Sequence, residues 1–174
     1  MLAASSTSSA GSSSSARRQP KPPDRPLARS RQPFAGPPCS AAVPPYVQAV
    51  PIRFRDIDAL DHVNHAVILT FAETVRCDWF QKATGVVSMA RLPFILAAAH
   101  IEYKAPIPKS AELEVEMCAT RFGTKSWDFS YTVREARSKA VFATVTTVQV
   151  AYDYQRGQSI PIPADLRALL EGLH

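Results

Sequence analysis

From residue 46 onward the chain moves between two hydrophobic periods. Residues 47–55 read as a first strand, alternating from Val50 onward, with Pro51 marking an edge. Residues 66–83 repeat at the helical period. Ile68, Phe71, Ala72, Val75 and Trp79 share one face, and Val67, Leu69 and Phe80 widen it. A helix apolar over so much of its circumference is expected to be wrapped by protein on most sides. Gly85 is placed to end it. Four strand-like segments follow, over 94–105, 111–121, 126–136 and 140–154. Their joints are Pro106-Ile107-Pro108, Phe122-Gly123-Thr124 and Arg137-Ser138-Lys139. In the 111–121 segment Leu113, Val115 and Met117 alternate with Glu112, Glu114 and Glu116, so one face is buried and the other wet. A short helix is predicted over 164–173. These elements predict an α+β domain: an antiparallel five-stranded curved sheet wrapped around one long central helix.

The first 46 residues have a different texture. Ser5 to Ser15 is almost all Ser, Thr, Ala and Gly, and nine prolines fall between Pro20 and Pro45. Such a segment buries too little apolar surface to offset its ordering entropy, so 1–46 reads as a disordered tail ahead of a 47–174 domain. It has no apolar core of a secretory signal. Rich in Ser, containing Arg and nearly free of acid, it resembles an organelle transit peptide, although its prolines spoil an amphipathic helix. The alternative is a nonfunctional extension. Charge follows the same division. The tail holds six basic residues against Asp24, while the remainder balances 14 positive with 14 negative. The whole formal charge of +5 therefore lies in the tail, and the domain shows no basic footprint for nucleic acid. Cys39, Cys77 and Cys118 are odd in number and widely spaced, which suggests neither a disulfide framework nor a zinc site and favours a reducing compartment. A cytoplasmic location is expected, or an organelle stroma or matrix if the tail is a transit peptide. No stretch is long and apolar enough to span a bilayer.

Between the first strand and the helix, the ten residues from Asp56 to His65 hold three carboxylates, two imidazoles and an amide. So much polar chemistry at a strand-to-helix junction marks a candidate site, because a helix N-terminus offers unpaired N–H groups and the positive end of the dipole. Asn64 or Asp61 suits a cap, leaving N–H groups near His65 and Ala66 to face a ligand. A carboxylate six or seven residues upstream, across a tight turn, then stands close to that point. This is what acyl transfer needs: a nucleophile or base on one side of a carbonyl, and donors where the oxyanion forms. Asp56, Asp61 and His62 read as residues that shape the turn. Glu73 and Arg76, three apart, suit a surface or interface ion pair.

The chain resembles the hotdog-fold thioesterases, in particular the 4-hydroxybenzoyl-CoA thioesterase and YbgC-like branch, over about residues 48–170. The resemblance is carried by Phe54-Arg55-Asp56-Ile57-Asp58-Ala59, by His62-Val63-Asn64-His65-Ala66, and by Glu73 and Arg76. Ile101-Glu102-Tyr103-Lys104-Ala105-Pro106 adds to it. It implies hydrolysis of an acyl thioester, on CoA or acyl carrier protein, in fatty acid metabolism. By that resemblance Asp58 is the catalytic carboxylate, acting as nucleophile or as general base. The backbone N–H at His65 polarises the carbonyl, and the His65 ring assists. Asn64, Val67, Glu73 and Lys104 are the expected substrate-binding positions, with Glu73 a reserve carboxylate. The branch carries a tyrosine where this chain has Phe54, which removes one hydroxyl.

Other chemistries fit poorly. There is no Gly-x-Ser-x-Gly elbow, no histidine partner for Cys77, no EF-hand alternation and no Gly-rich phosphate loop. No metal or cofactor is expected. The rival functions are a hotdog hydratase or dehydratase, which pairs an acid with an imidazole, and a non-catalytic acyl-thioester-binding protein. A sheet around one helix leaves open edges, so a homodimer or homotetramer with sites between subunits is expected. Lys104, Lys109, Arg121 and Lys125 are candidates to meet the phosphates of CoA.

Overall fold

The computed structural model describes residues 44–86 and 92–174. Residues 1–43, and with them nearly all of the expected tail and its transit-peptide reading, lie outside the described residues. The elements run β1 (Tyr46–Val50), α1 (Val67–Thr84), β2 (Phe94–Tyr103), β3 (Leu113–Phe122), β4 (Ser126–Glu135), β5 (Val141–Asp153), β6 (Gln158–Ser159) and α2 (Ala164–Glu171). The main sheet has the order β1-β3-β4-β5-β2 with every neighbouring pair antiparallel, and β6 adds a two-residue ladder to β5. This is the hotdog architecture: a curved antiparallel sheet around one long helix.

The sequence pattern decides which sheet face holds the core. Leu113, Val115 and Met117 on β3, Trp127, Phe129, Tyr131 and Val133 on β4, and Ala143, Val145 and Ala151 on β5 are all buried. Helix α1 lies on that face with Phe71, Ala72 and Val75 fully buried. Trp79 meets Phe129 edge-on at 5.7 Å between ring centroids, and Phe80 meets Phe94 at 5.6 Å. Fully burying side chains of this size contributes about 1.5–3 kcal/mol each, so this helix–sheet contact dominates the stability of the domain. One charged residue shares the layer. Arg76 is buried on α1, with Nη1 donating to the Tyr131 hydroxyl at 3.4 Å and Nη2 3.7 Å from Glu73. Burial pushes the Tyr131 hydroxyl above its ordinary pKa. Helix α2 buries Leu166 and Leu170. Leu173, just beyond it, accepts from the Ala119 N–H at 3.0 Å and so extends the β3 edge past the end of β1.

Two predicted elements end earlier than the hydrophobic pattern does. β1 stops at Val50 rather than running to residue 55, because Pro51 has no N–H to continue the ladder. Residues 54–56 form a 3₁₀ turn instead, closed by the Asp56 carboxylate, which accepts from the Arg53 N–H at 2.8 Å and from its Nε at 3.1 Å. β2 stops at Tyr103, where the N–H groups of Lys104 and Ala105 both reach the Phe142 carbonyl, at 2.8 and 3.1 Å, ahead of Pro106. Gly85 ends α1 as expected, in the left-handed conformation (φ 70°) with its N–H on the Gln81 carbonyl at 2.8 Å. Cys118 is buried on β3, and Cys77, half-buried on α1, is a free thiol. Among the described residues no helix is long and apolar enough to cross a membrane.

Candidate active site

The polar loop between β1 and α1 folds back on itself as a narrow hairpin. Ile57 bridges Val63, and the Asp58 N–H donates to the His62 carbonyl at 2.8 Å. At the tip Asp61 takes the left-handed conformation (φ 62°), which aspartate tolerates better than most residues. The Asp58 side chain organises the turn. Its Oδ1 accepts from the Leu60 N–H at 2.8 Å and from the His62 N–H at 3.3 Å. Oδ2 has no hydrogen-bond partner among the described residues. One oxygen therefore holds the loop and the other stays open. The hairpin is fixed to the segment after β2 by the Val63 N–H on the Ile107 carbonyl at 2.9 Å and by the His62–Pro108 bridge.

The helix start is built with the same economy. Ala66 is the N-cap position and carries no side-chain cap; Asn64, two residues ahead, closes the turn into the helix, with Oδ1 accepting from the Ala66 N–H at 2.9 Å and its carbonyl accepting from the Val67 N–H at 2.9 Å. The Ala66 N–H, expected to face a ligand, is thus taken by Asn64. The His65 N–H has no hydrogen-bond partner among the described residues, and His65 is exposed. The His65 carbonyl accepts from the Ile68 N–H at 3.4 Å and from the Tyr103 hydroxyl at 3.2 Å. The Tyr103 ring also stands edge-on to the His65 ring, 6.2 Å away at 83°.

These groups line one cavity of about 400 Å³. Asp58, His62, His65, Tyr103 and Lys104 form its polar part; Leu60, Val63, Ile68, Ile107 and Phe142 form an apolar wall. Of the expected substrate-binding residues only Lys104 lies on the lining, with Nζ on Glu102 at 2.7 Å. That ammonium holds the Glu102 carboxyl below its ordinary range. Asn64 is occupied in the turn onto the Ala66 N–H, Val67 opens the helix half-buried, and Glu73 is exposed on the helix beside Arg76. Asp56 is buried and structural. Phe54 is 98% exposed and away from the cavity. Lys109 pairs with Asp61 at 2.9 Å, Arg121 grips Asp128 through two hydrogen bonds, and Lys125 reaches the Ser159 carbonyl at 3.0 Å. None of these three lines the cavity. Among the described residues no group of three or more His, Cys, Asp or Glu side chains is placed to hold a metal ion.

Comparison with known proteins fits this geometry. A family model described as the thioesterase-like superfamily matches residues 52–170. This chain belongs to the thioesterase-like superfamily. Its reaction class is thioester hydrolysis. Among solved structures, a thioesterase from Thermus thermophilus complexed with coenzyme A and Zn is 27% identical, with a TM-score of 0.64 over 71% of this chain and 95% of that one. YbaW, a probable thioesterase from Escherichia coli, is 22% identical, with a TM-score of 0.64 over 74% and 98% of the two chains. A 1,4-dihydroxy-2-naphthoyl-CoA thioesterase from Synechocystis is 17% identical, with a TM-score of 0.65 over 74% and 97%. The last two bear on the fold alone. Among curated proteins none matches this chain.

Sequence reasoning gave no role to Tyr103 or Phe142, although both line the cavity. Tyr103 stood inside a recognised segment, but only the three-dimensional meeting of β2 with the helix start shows what its hydroxyl touches. Phe142 lies some eighty residues from the polar loop, and no spacing along the chain joins the two.

Proposed function

We propose that this protein hydrolyses an acyl-CoA thioester, with Asp58 as nucleophile or general base and the His65 N–H polarising the thioester carbonyl. The observation that carries this is the pairing, on one cavity, of a carboxylate with one oxygen uncommitted and a backbone N–H without a partner. With the carbonyl oxygen on that N–H, charge developing on it is stabilised by the donor and by the helix dipole. Asp58 Oδ2 then attacks the carbonyl carbon, or removes a proton from a water that attacks it. The C–S bond breaks and the sulfur leaves as thiolate, which takes up a proton; in the first route a single water then opens the mixed anhydride and regenerates the Asp58 carboxylate. Coenzyme A as carrier is supported by the CoA complex of the 27%-identical Thermus enzyme and by Lys104 on the cavity lining. The active form is a homodimer or homotetramer joined through open sheet edges, with Asn64, Val67 and Glu73 near the acyl group once a second subunit is in place.

The Asp58→Asn variant tests the assignment. Asparagine keeps an Oδ1 acceptor for the Leu60 and His62 N–H groups, so the loop survives while the reacting oxygen is lost. Thiol release is expected to fall at least 100-fold, on the order of 3 kcal/mol of transition-state stabilisation, with unchanged circular dichroism. Near-normal turnover would sink it. A panel of short, medium, long and aromatic acyl-CoAs and one acyl carrier protein thioester identifies the substrate. Following absorbance at 230–280 nm alongside thiol release separates hydrolysis from hydration.

A further inference from the structure

The peptide unit joining His65 to Ala66 is gripped at both ends. Its N–H donates to Asn64 Oδ1 at 2.9 Å, and its carbonyl accepts from the Tyr103 hydroxyl at 3.2 Å. The preceding unit, which carries the open His65 N–H, is held only through its own carbonyl by the Val67 N–H at 2.9 Å. The direction of the open N–H is therefore set by the unit beside it. Asn64 holds that unit from within the loop. Tyr103 holds it from another element, the last residue of edge strand β2, and its ring also packs edge-on against the His65 ring. Among the described residues it is the side chain that ties the carboxyl end of β2 to the helix start by a hydrogen bond.

We infer that Tyr103 is a positioning residue, whose hydroxyl aims the His65 N–H at the thioester carbonyl and couples that aim to the placement of β2. This rests on the proposed role of the His65 N–H. A donor that stabilises a developing oxyanion must be fixed before reaction, so loosening it raises the barrier without weakening ground-state binding. The hydroxyl is directed at a backbone carbonyl and the ring walls the cavity, so Tyr103→Phe removes the first function and keeps the second.

The experiment compares wild type with Tyr103→Phe by steady-state thiol release and by NMR amide exchange at Ala66 and Ile68. The expected result is a kcat five- to tenfold lower, the size of one net hydrogen bond, with KM within twofold and faster exchange at both amides. Unchanged kcat, or a raised KM at constant kcat, overturns the inference, the latter because it makes Tyr103 a substrate contact. If wild type hydrolyses no thioester, the functional proposal has failed. Exchange then decides the tether alone, and unaltered rates at Ala66 and Ile68 overturn it.

Discussion

Asp58 carries two tasks on one carboxylate, and the geometry divides them by atom. Oδ1 replaces a backbone acceptor inside a tight turn, while Oδ2 remains available. His65 divides in the same way between main chain and ring. The proposed donor is its N–H, so His65→Ala, which keeps that donor, is expected to lower kcat by less than about threefold, whereas true loss of such a donor costs about 100–1,000-fold. Stopped-flow thiol release on both proteins checks this, and a loss of 100-fold in the alanine variant assigns the work to the imidazole. The place of the candidate site was legible in residue types alone. The loop stood out because polar groups were crowded beside an apolar helix and because asparagine suits a cap, while Asp58 and His65 were singled out within it by the family resemblance. Which N–H Asn64 takes was not legible. It depends on where the loop ends and the helix begins, and α1 starts at Val67, one residue later than the periodicity suggested.

Among the elements, α1, β3, β4 and β5 followed their hydrophobic periods closely, because one face of each is buried and the other is not, whereas β2 buries only Phe94. The misses came where backbone hydrogen bonding decides and side-chain polarity does not. Pro51 ended β1 although the alternation continued, and two N–H groups converging on the Phe142 carbonyl ended β2. The short β6 ladder had no pattern to betray it, being two polar residues after a turn. The C-terminus of α1 did follow its signal. Gly85 holds φ 70°, and a Cβ there meets nothing within 4 Å, so Gly85→Ala suffers backbone strain and no clash. A loss of about 1 kcal/mol is expected, read as a lower urea midpoint at unchanged m-value.

At the scale of the whole molecule, among the described residues the sheet presents two edges, β1 paired only with β3 and β2 paired only with β5. Leu96 and Tyr103 are exposed on β2, beside the cavity's own wall. Open edges of this kind favour pairing with another copy. Sedimentation equilibrium is expected to give a mass of twice 19.0 kDa or a multiple of it, and a monomer at micromolar concentration contradicts a site shared between subunits.

Buried Arg76 has a consequence for the shape of the whole domain. Apolar burial alone fixes the rotational phase of a helix on a sheet only coarsely, because hydrophobic burial has no direction. A guanidinium has one. Turning α1 by a single residue carries Arg76 away from the Tyr131 hydroxyl and breaks a buried hydrogen bond to a charged group, at a cost on the order of 1.5–3 kcal/mol. The cation thus works as a keyway that sharpens the phase set by the buried apolar face. By locking the rotation of α1 about its axis, it also determines the bearing along which the first turn of that helix meets the substrate cavity.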